Sequence, residues 1–188
     1  FAPQDKWPQS ALLGRLKTNW KTYDAALMGG KAAPSTGSWI IGGDFAGNLL
    51  EGSLHGEWSY TDLKTRTPYW KGLIGYDYTF SSQPALAWLK DAALIVEYLH
   101  NGAGQTDPRR TRFADLLSGR EVNVARNYAA TTFSKDLGTL LKFELVCLGN
   151  IDDKSHFLSP SLQYNPWENL YLTGGFQRFG GTHESEFG

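Results

Sequence analysis

Ser53, His55 and Glu57 stand two residues apart in the chain: a hydroxyl, an imidazole and a carboxylate. Brought to one point by neighbouring strands, such a trio performs hydrolysis, the imidazole taking the hydroxyl proton and the carboxylate orienting the imidazole. Spaced by two along one extended segment, they instead form a polar stripe, because alternate residues of a strand share a face at roughly 6–7 Å intervals. The stripe is the expected reading, and no enzyme activity is assigned. The other histidines, His100, His156 and His183, fall on separate segments without ligand spacing, and Cys147 is the only cysteine. Neither an intramolecular disulfide nor the clustered His, Cys and carboxylate ligands of a metal site is expected. Cys147 reads as a small apolar strand residue. No phosphate loop or dinucleotide fingerprint occurs, so no cofactor is expected.

The remaining ionisable residues repeat the stripe. Arg15, Lys17, Asp44, Lys71, Asp77, Glu97, Lys142 and Glu144, with His55 and Glu57, all occupy the polar side of an alternating segment. Both signs are present, and mixed charge around a pore gives a transverse field with weak ion selectivity, where a ring of one sign selects strongly. The alternative is that these side chains pair with one another and fill a narrow interior. Four arginines, Arg109, Arg110, Arg112 and Arg120, lie in a long connection and are candidates for a constriction or for contacts to lipopolysaccharide phosphates.

The elements that position these residues are strands. Between Pro68 and Phe80, one list of alternate residues is Trp70, Gly72, Ile74, Tyr76, Tyr78 and Phe80, and the other is Lys71, Leu73, Gly75, Asp77 and Thr79. A period of two over this length is a strand signal. Trp70 and Tyr78 share the apolar side eight residues apart, roughly 27 Å along an extended chain, close to the ~25 Å apolar band of a transmembrane barrel with aromatic girdles at its two edges. The same alternation predicts strands over residues 11–19, 23–31, 38–47, 50–60, 91–100, 140–150, 156–165 and 170–180, and a weaker Ala- and Thr-rich strand of ambiguous facing is expected over 122–135, about ten in all. An amphipathic helix over residues 16–28 is the rival for the first two. Gly47-Asn48 and residues 165–168 are read as tight turns, Trp88-Leu89 as a short helical turn, and Pro160 as the mark of an edge, a bulge or a strand end. Short joins alternate with longer, more polar ones, as in barrels with brief turns at one rim and long loops at the other.

The aromatics expected to face lipid are Trp39, Phe45, Trp58, Tyr60, Trp70, Tyr78, Phe80, Tyr98, Phe143, Tyr164 and Phe176. With 188 residues, of which 41% are hydrophobic and 14% aromatic, the chain is long and apolar enough for one domain, taken as residues 1–188. No run of ~20 apolar residues suggests a helical span. A mean hydropathy of −0.38 does not decide the membrane question, because barrel strands average lipid-facing and lumen-facing residues. A net charge of −1 argues against nucleic acid as a partner.

Ser38 to Tyr60 (SWIIGGDFAGNLLEGSLHGEWSY), Gly75 to Phe80 (GYDYTF), Ala93 to Gly104 (ALIVEYLHNGAG) and Leu158 to Gly181 together resemble the strand, turn and strand phrasing of bacterial outer-membrane β-barrels of the porin-like kind. The resemblance implies an antiparallel up-and-down transmembrane β-barrel in the bacterial outer membrane, passing small polar solutes passively. Outer-membrane lipid and other envelope proteins would be its partners. It also implies a last strand ending in an aromatic residue, whereas this chain closes on Glu186-Phe187-Gly188 after a polar stretch. The expectation is therefore a segment of a longer barrel of about twelve strands or more. A non-conducting barrel serving as anchor or assembly partner, and a soluble all-β carrier with an apolar interior, are the alternatives.

Overall fold

The computed structural model describes residues 11–33, 38–64, 67–81, 84–107 and 124–188. Among them the chain is all-β: a single antiparallel sheet of 11 strands. The strands are β1 (Leu12–Trp20), β2 (Tyr23–Ala33), β3 (Ser38–Leu49), β4 (Gly52–Asp62), β5 (Tyr69–Thr79), β6 (Ala93–Asn101), β7 (Asn127–Asp136), β8 (Leu141–Asn150), β9 (Ser155–Trp167), β10 (Leu170–Gly175) and β11 (Arg178–Gly180). In it β1 to β10 pair in sequence order and β11 pairs β9 beside β10. The sheet is open. Among the described residues β1 forms one edge and β10 with β11 the other, and the two edges do not pair with each other.

The helix alternative over residues 16–28 is not adopted. Those residues form the β1–β2 hairpin, closed by Lys21 and Thr22 between the paired Trp20 and Tyr23. A short 3-10 segment, Pro84–Leu89, carries Trp88 and Leu89 between β5 and β6 as expected. Two turns shift. Gly47 and Asn48 lie inside β3, and the hairpin closes three residues later at Leu50-Glu51, with Leu50 at a positive φ of 54°. The glycine serves packing instead, since a Cβ at Gly47 would overlap the Tyr23 ring on β2. Residues 165–167 likewise extend β9, and the turn falls at Glu168-Asn169, where Asn169 takes the left-handed conformation its side chain tolerates.

The expected strand over 170–180 is split into β10 and β11, and Pro160 is the cause. From Leu172 onward both pieces pair with β9 in one register, Gly175 opposite Ser161 and Arg178 opposite Leu158. Pro160 therefore stands opposite Phe176, where an antiparallel pair exchanges two hydrogen bonds. The Phe176 N–H donates to the Pro160 carbonyl at 3.2 Å, but proline has no N–H to return. Pro160 thus breaks its neighbour and leaves β9 itself unbroken at 13 residues. β7 begins at Asn127, later than the expected strand over 122–135, whose first residues lie outside the described ones.

Because directly paired residues point the same way, the register sorts the sheet into two faces. One carries Arg15, Asp44, Glu57, Leu73, Glu97, Thr132, Glu144 and Ser161. The other carries Leu16, Leu27, Ile41, Trp58, Ile74, Tyr98, Leu145 and Leu158. The row of pairs starting at Lys17 in mid-β1 passes Ala26, Asp44, Glu57, Leu73, Leu99 and Tyr128, then leaves the sheet at Asn150 and Ser155, the ends of β8 and β9. Each strand is therefore displaced along its axis in the same sense, as strands tilted to a common row must be.

A conventional apolar core is absent among the described residues. Their buried hydrophobic side chains are Ala26, Leu89, Ala92, Ala125 and Tyr128, while Leu16, Trp39, Ile41, Trp58, Trp70 and Ile74 are all exposed. In β3 to β6 every exposed large hydrophobic belongs to the apolar face.

Candidate functional site

The charged face is the candidate site. Register places Arg15, Lys17, Asp44, His55, Glu57, Lys71, Asp77, Glu97, Lys142 and Glu144 all on it. Two groups meet. The Arg15 guanidinium on β1 donates to the Asp44 carboxylate on β3 at 3.0 Å, across β2, whose residue on Asp44's row is the small Ala26. His55 on β4 lies between two carboxylates, Nδ1 at 3.3 Å from Asp77 and Nε2 at 3.3 Å from Glu97. The second contact spans all of β5 and is possible because Gly75 stands between them: its buried position has no room for a Cβ beside the His55 ring. Only the doubly protonated imidazolium can donate to both carboxylates, since a neutral ring carries one N–H. Side chains this exposed make ion pairs worth under about 1 kcal/mol, so the pairing shapes the face more than it stabilises the sheet.

Lys17, Glu57, Lys142 and Glu144 share the face without an ion pair among the described residues. The Lys71 ammonium sits 5.6 Å from the centre of the Tyr69 ring. Ser53 is not the partner of His55, both of whose nitrogens face carboxylates, so the hydroxyl, imidazole and carboxylate trio is not assembled as a hydrolytic unit. Arg109, Arg110, Arg112 and Arg120 lie outside the described residues.

On the opposite face the aromatic residues fall mainly into two bands. Trp39, Tyr60 and Trp70 lie toward the end bearing the longer connections, while Trp58 and Tyr98 share rows with Gly72 and Ile74 nearer the middle. Tyr23, Phe45, Tyr76, Tyr78, Phe133, Phe143 and Tyr164 lie toward the other end, and Leu27, Ile41, Gly43, Gly72, Ile74, Val96, Leu145 and Cys147 lie between. Phe80 follows β5, and Phe176 sits in the break between β10 and β11. Glycines on adjacent strands seat the rings. Phe45 lies against Gly56 and Tyr76 against Gly52, where a Cβ would fall 2.6 and 2.5 Å from ring atoms. Trp70 stacks on His100 at 4.1 Å between centroids, and the Tyr98 hydroxyl donates to Asn127 at 2.7 Å.

A third cluster was not legible in the sequence. At the long-connection end the buried polar residues Ser38, Asn101, Asn150 and Ser155 each occupy the terminal position of a strand, and all are on the charged face. The Glu186 carboxylate accepts hydrogen bonds there from the Tyr128 hydroxyl at 2.8 Å and from Asn150 Nδ2 at 2.9 Å. Its own N–H donates to Asp153 at 2.8 Å. Burial, with the negative charge of Asp153, raises the Glu186 pKa above its ordinary value, and the bonds from Tyr128 and Asn150 offset part of the rise. Asp152 organises the neighbouring turn by accepting from the N–H groups of Arg126 and Asn127 at 2.9 and 2.7 Å. The only sequence trace of this cluster is the Asn150-Ile151-Asp152-Asp153 run, which reads as an ordinary turn.

No family model, curated protein sequence or solved structure matches this chain.

Proposed function

We propose that the sheet is the wall of a porin-like β-barrel in a bacterial outer membrane, with the charged face toward a water-filled lumen through which small polar solutes diffuse, without cofactor or turnover. The observation that carries this reading is the exposed apolar face, largely aliphatic and glycine in its middle, richer in aromatics toward both ends and backed by a face of mixed charge. In water such a face is an aggregation surface; in a bilayer it matches hydrocarbon flanked by two interfaces. The uniform displacement of successive strands supports the same reading, because barrel closure demands tilt. The reading requires the two edges, β1 and β10 with β11, to be paired in the membrane, with each other or through further strands. Outer-membrane lipid and small polar solutes are then the principal partners.

The test is single-channel conductance of the full-length protein, extracted folded from membranes and reconstituted in a planar bilayer. Discrete, stable conductance steps are expected. Insertion without conductance would reject the open pore.

A second reading has its own observation. The Arg15–Asp44 ion pair and the Asp77–His55–Glu97 contacts link side chains of neighbouring strands across the charged face. A barrel filled by such pairs would serve as an anchor or assembly partner for other envelope proteins, and it is the reading that silent insertion would favour. The soluble carrier is tested by brominated lipids: it predicts no quenching of Trp39, Trp58 and Trp70 fluorescence, and the barrel predicts strong quenching.

A further inference from the structure

The chain after β11 does not continue the sheet. Gly180 pairs with His156, and Gly181 lies beside Ser155, where a Cβ would fall 2.8 Å from the serine Cβ. Residues 182–188 fold into two tight turns, with the Ser185 N–H bonded to the Thr182 carbonyl at 2.9 Å and the Gly188 N–H to the Ser185 carbonyl at 3.3 Å. Its hydrogen bonds to Tyr128, Asn150 and Ser155 are all made on the charged face. Tyr128, Asn150 and Ser155 lie on one row of that face, and they receive Glu186 through its carboxylate and Phe187 through its N–H, the latter 3.4 Å from Ser155 Oγ. The anchoring is specific, because the Tyr128 hydroxyl that donates to Glu186 also accepts from the Ala125 N–H at 2.7 Å. Tyr128 and Ser155 are left 4% and 1% exposed, whereas the sheet's charged face beyond this end stays open to solvent at Lys142 and Glu57.

We infer that Gly181–Gly188 is a strap docked across the charged face at the long-connection end, and that it constricts the lumen there. This rests on the barrel reading, since a constriction needs a lumen. A strap leaning to the apolar face would touch lipid or solvent and leave the pathway untouched; one seated on Tyr128, Asn150 and Ser155 lies in the path of any solute entering at that rim. Its hold is a few hydrogen bonds centred on one carboxylate, which sets the cost of release at a scale that thermal opening can reach.

Ser155→Cys in a Cys147→Ser background reports docking, because the new thiol lies beneath the strap. The full chain is reconstituted with this reporter, alone and with Glu186→Ala or Tyr128→Phe, and two quantities are read: the rate of reaction with a membrane-impermeant thiol reagent and the single-channel conductance. Glu186→Ala is expected to accelerate labelling about tenfold or more, as loss of hydrogen bonds to a half-buried carboxylate should, and to raise conductance. Tyr128→Phe should do both more weakly. Equal labelling in all variants would show that the strap is not docked. Accelerated labelling with unchanged conductance would place it outside the pathway, which also overturns the constriction. If no variant conducts while labelling still responds to Glu186→Ala, the porin reading fails and takes the constriction with it, leaving only the docking.

Discussion

His55 reaches Glu97 across an entire intervening strand because the residue between them is Gly75. The glycine has no turn to make and no special φ. Its role is to leave a channel through which an imidazole on β4 meets a carboxylate on β6. Gly75→Ala should therefore displace the ring and break the Glu97 contact at a cost of about 1 kcal/mol, since the obstructed atom is the end of a side chain that can rotate away. Gly104→Ala is the contrast. Its Cβ would meet the Ala125 backbone, which cannot rotate away, and about 3 kcal/mol is expected. Urea unfolding in detergent checks both, and equal costs would contradict the account.

The two-faced register predicts an asymmetry between sequence neighbours. Ile74 and Leu94 belong to the apolar face, Leu73 and Ile95 to the charged one. If the apolar face meets lipid, Ile74→Arg should destabilise the protein in bilayers by about 2–4 kcal/mol near the midplane and Leu94→Arg, opposite Tyr78 in the aromatic band, by less, with a much milder effect for Leu73→Arg or Ile95→Arg. Folding equilibria in liposomes make the comparison, and the same penalty at all four positions would remove the distinction between the faces.

Facing was legible from the sequence wherever apolar and polar residues alternate, because it depends on parity alone, and was ambiguous in the Ala- and Thr-rich stretch over 122–135. A residue such as Asp77 keeps its side of the strand wherever the strand ends, so errors at the turns do not propagate. The turns were less legible. Gly47-Asn48 carries the composition of a turn, yet the space taken by the Tyr23 ring claims the glycine, and the chain reverses at Leu50, a residue type with no preference for positive φ. The strap was illegible for a different reason. Glu186 is one acid in a polar tail, and its partners Tyr128 and Asn150 are 58 and 36 residues distant, a proximity only the assembled sheet creates.

Pro160→Ala supplies the missing N–H opposite Phe176, and the expected consequence is a continuous strand from Leu170 to Gly180. Net stability should move by under about 1 kcal/mol, because the gained hydrogen bond is offset by the greater freedom of the unfolded chain without proline. The informative measurement is amide exchange: the new N–H of residue 160 should be protected, along with that of Arg178. Rapid exchange at residue 160 would show that the break has another origin.

The strap's hold on the charged face should weaken as pH rises. Burial raises the Glu186 pKa when the strap is docked, and Asp153 nearby adds to the rise. The docked state therefore holds its proton to higher pH than the released state does. Below the ordinary glutamate range, near pH 4.3, both states are protonated and docking is independent of pH. Above it the released strap loses its proton first, and each further step in pH favours release until the docked carboxylate ionises as well. Tyr128 and Asn150 donate to either form, so docking is weakened and not abolished. Labelling of Ser155→Cys, taken as a ratio to the same reporter carrying Glu186→Gln, cancels the thiol's own dependence on pH. That ratio should rise between pH 4.5 and 8, and single-channel conductance of the unlabelled protein should rise with it. A flat ratio would mean that Glu186 ionises equally in both states, and a falling one that the carboxylate is held more tightly charged than neutral.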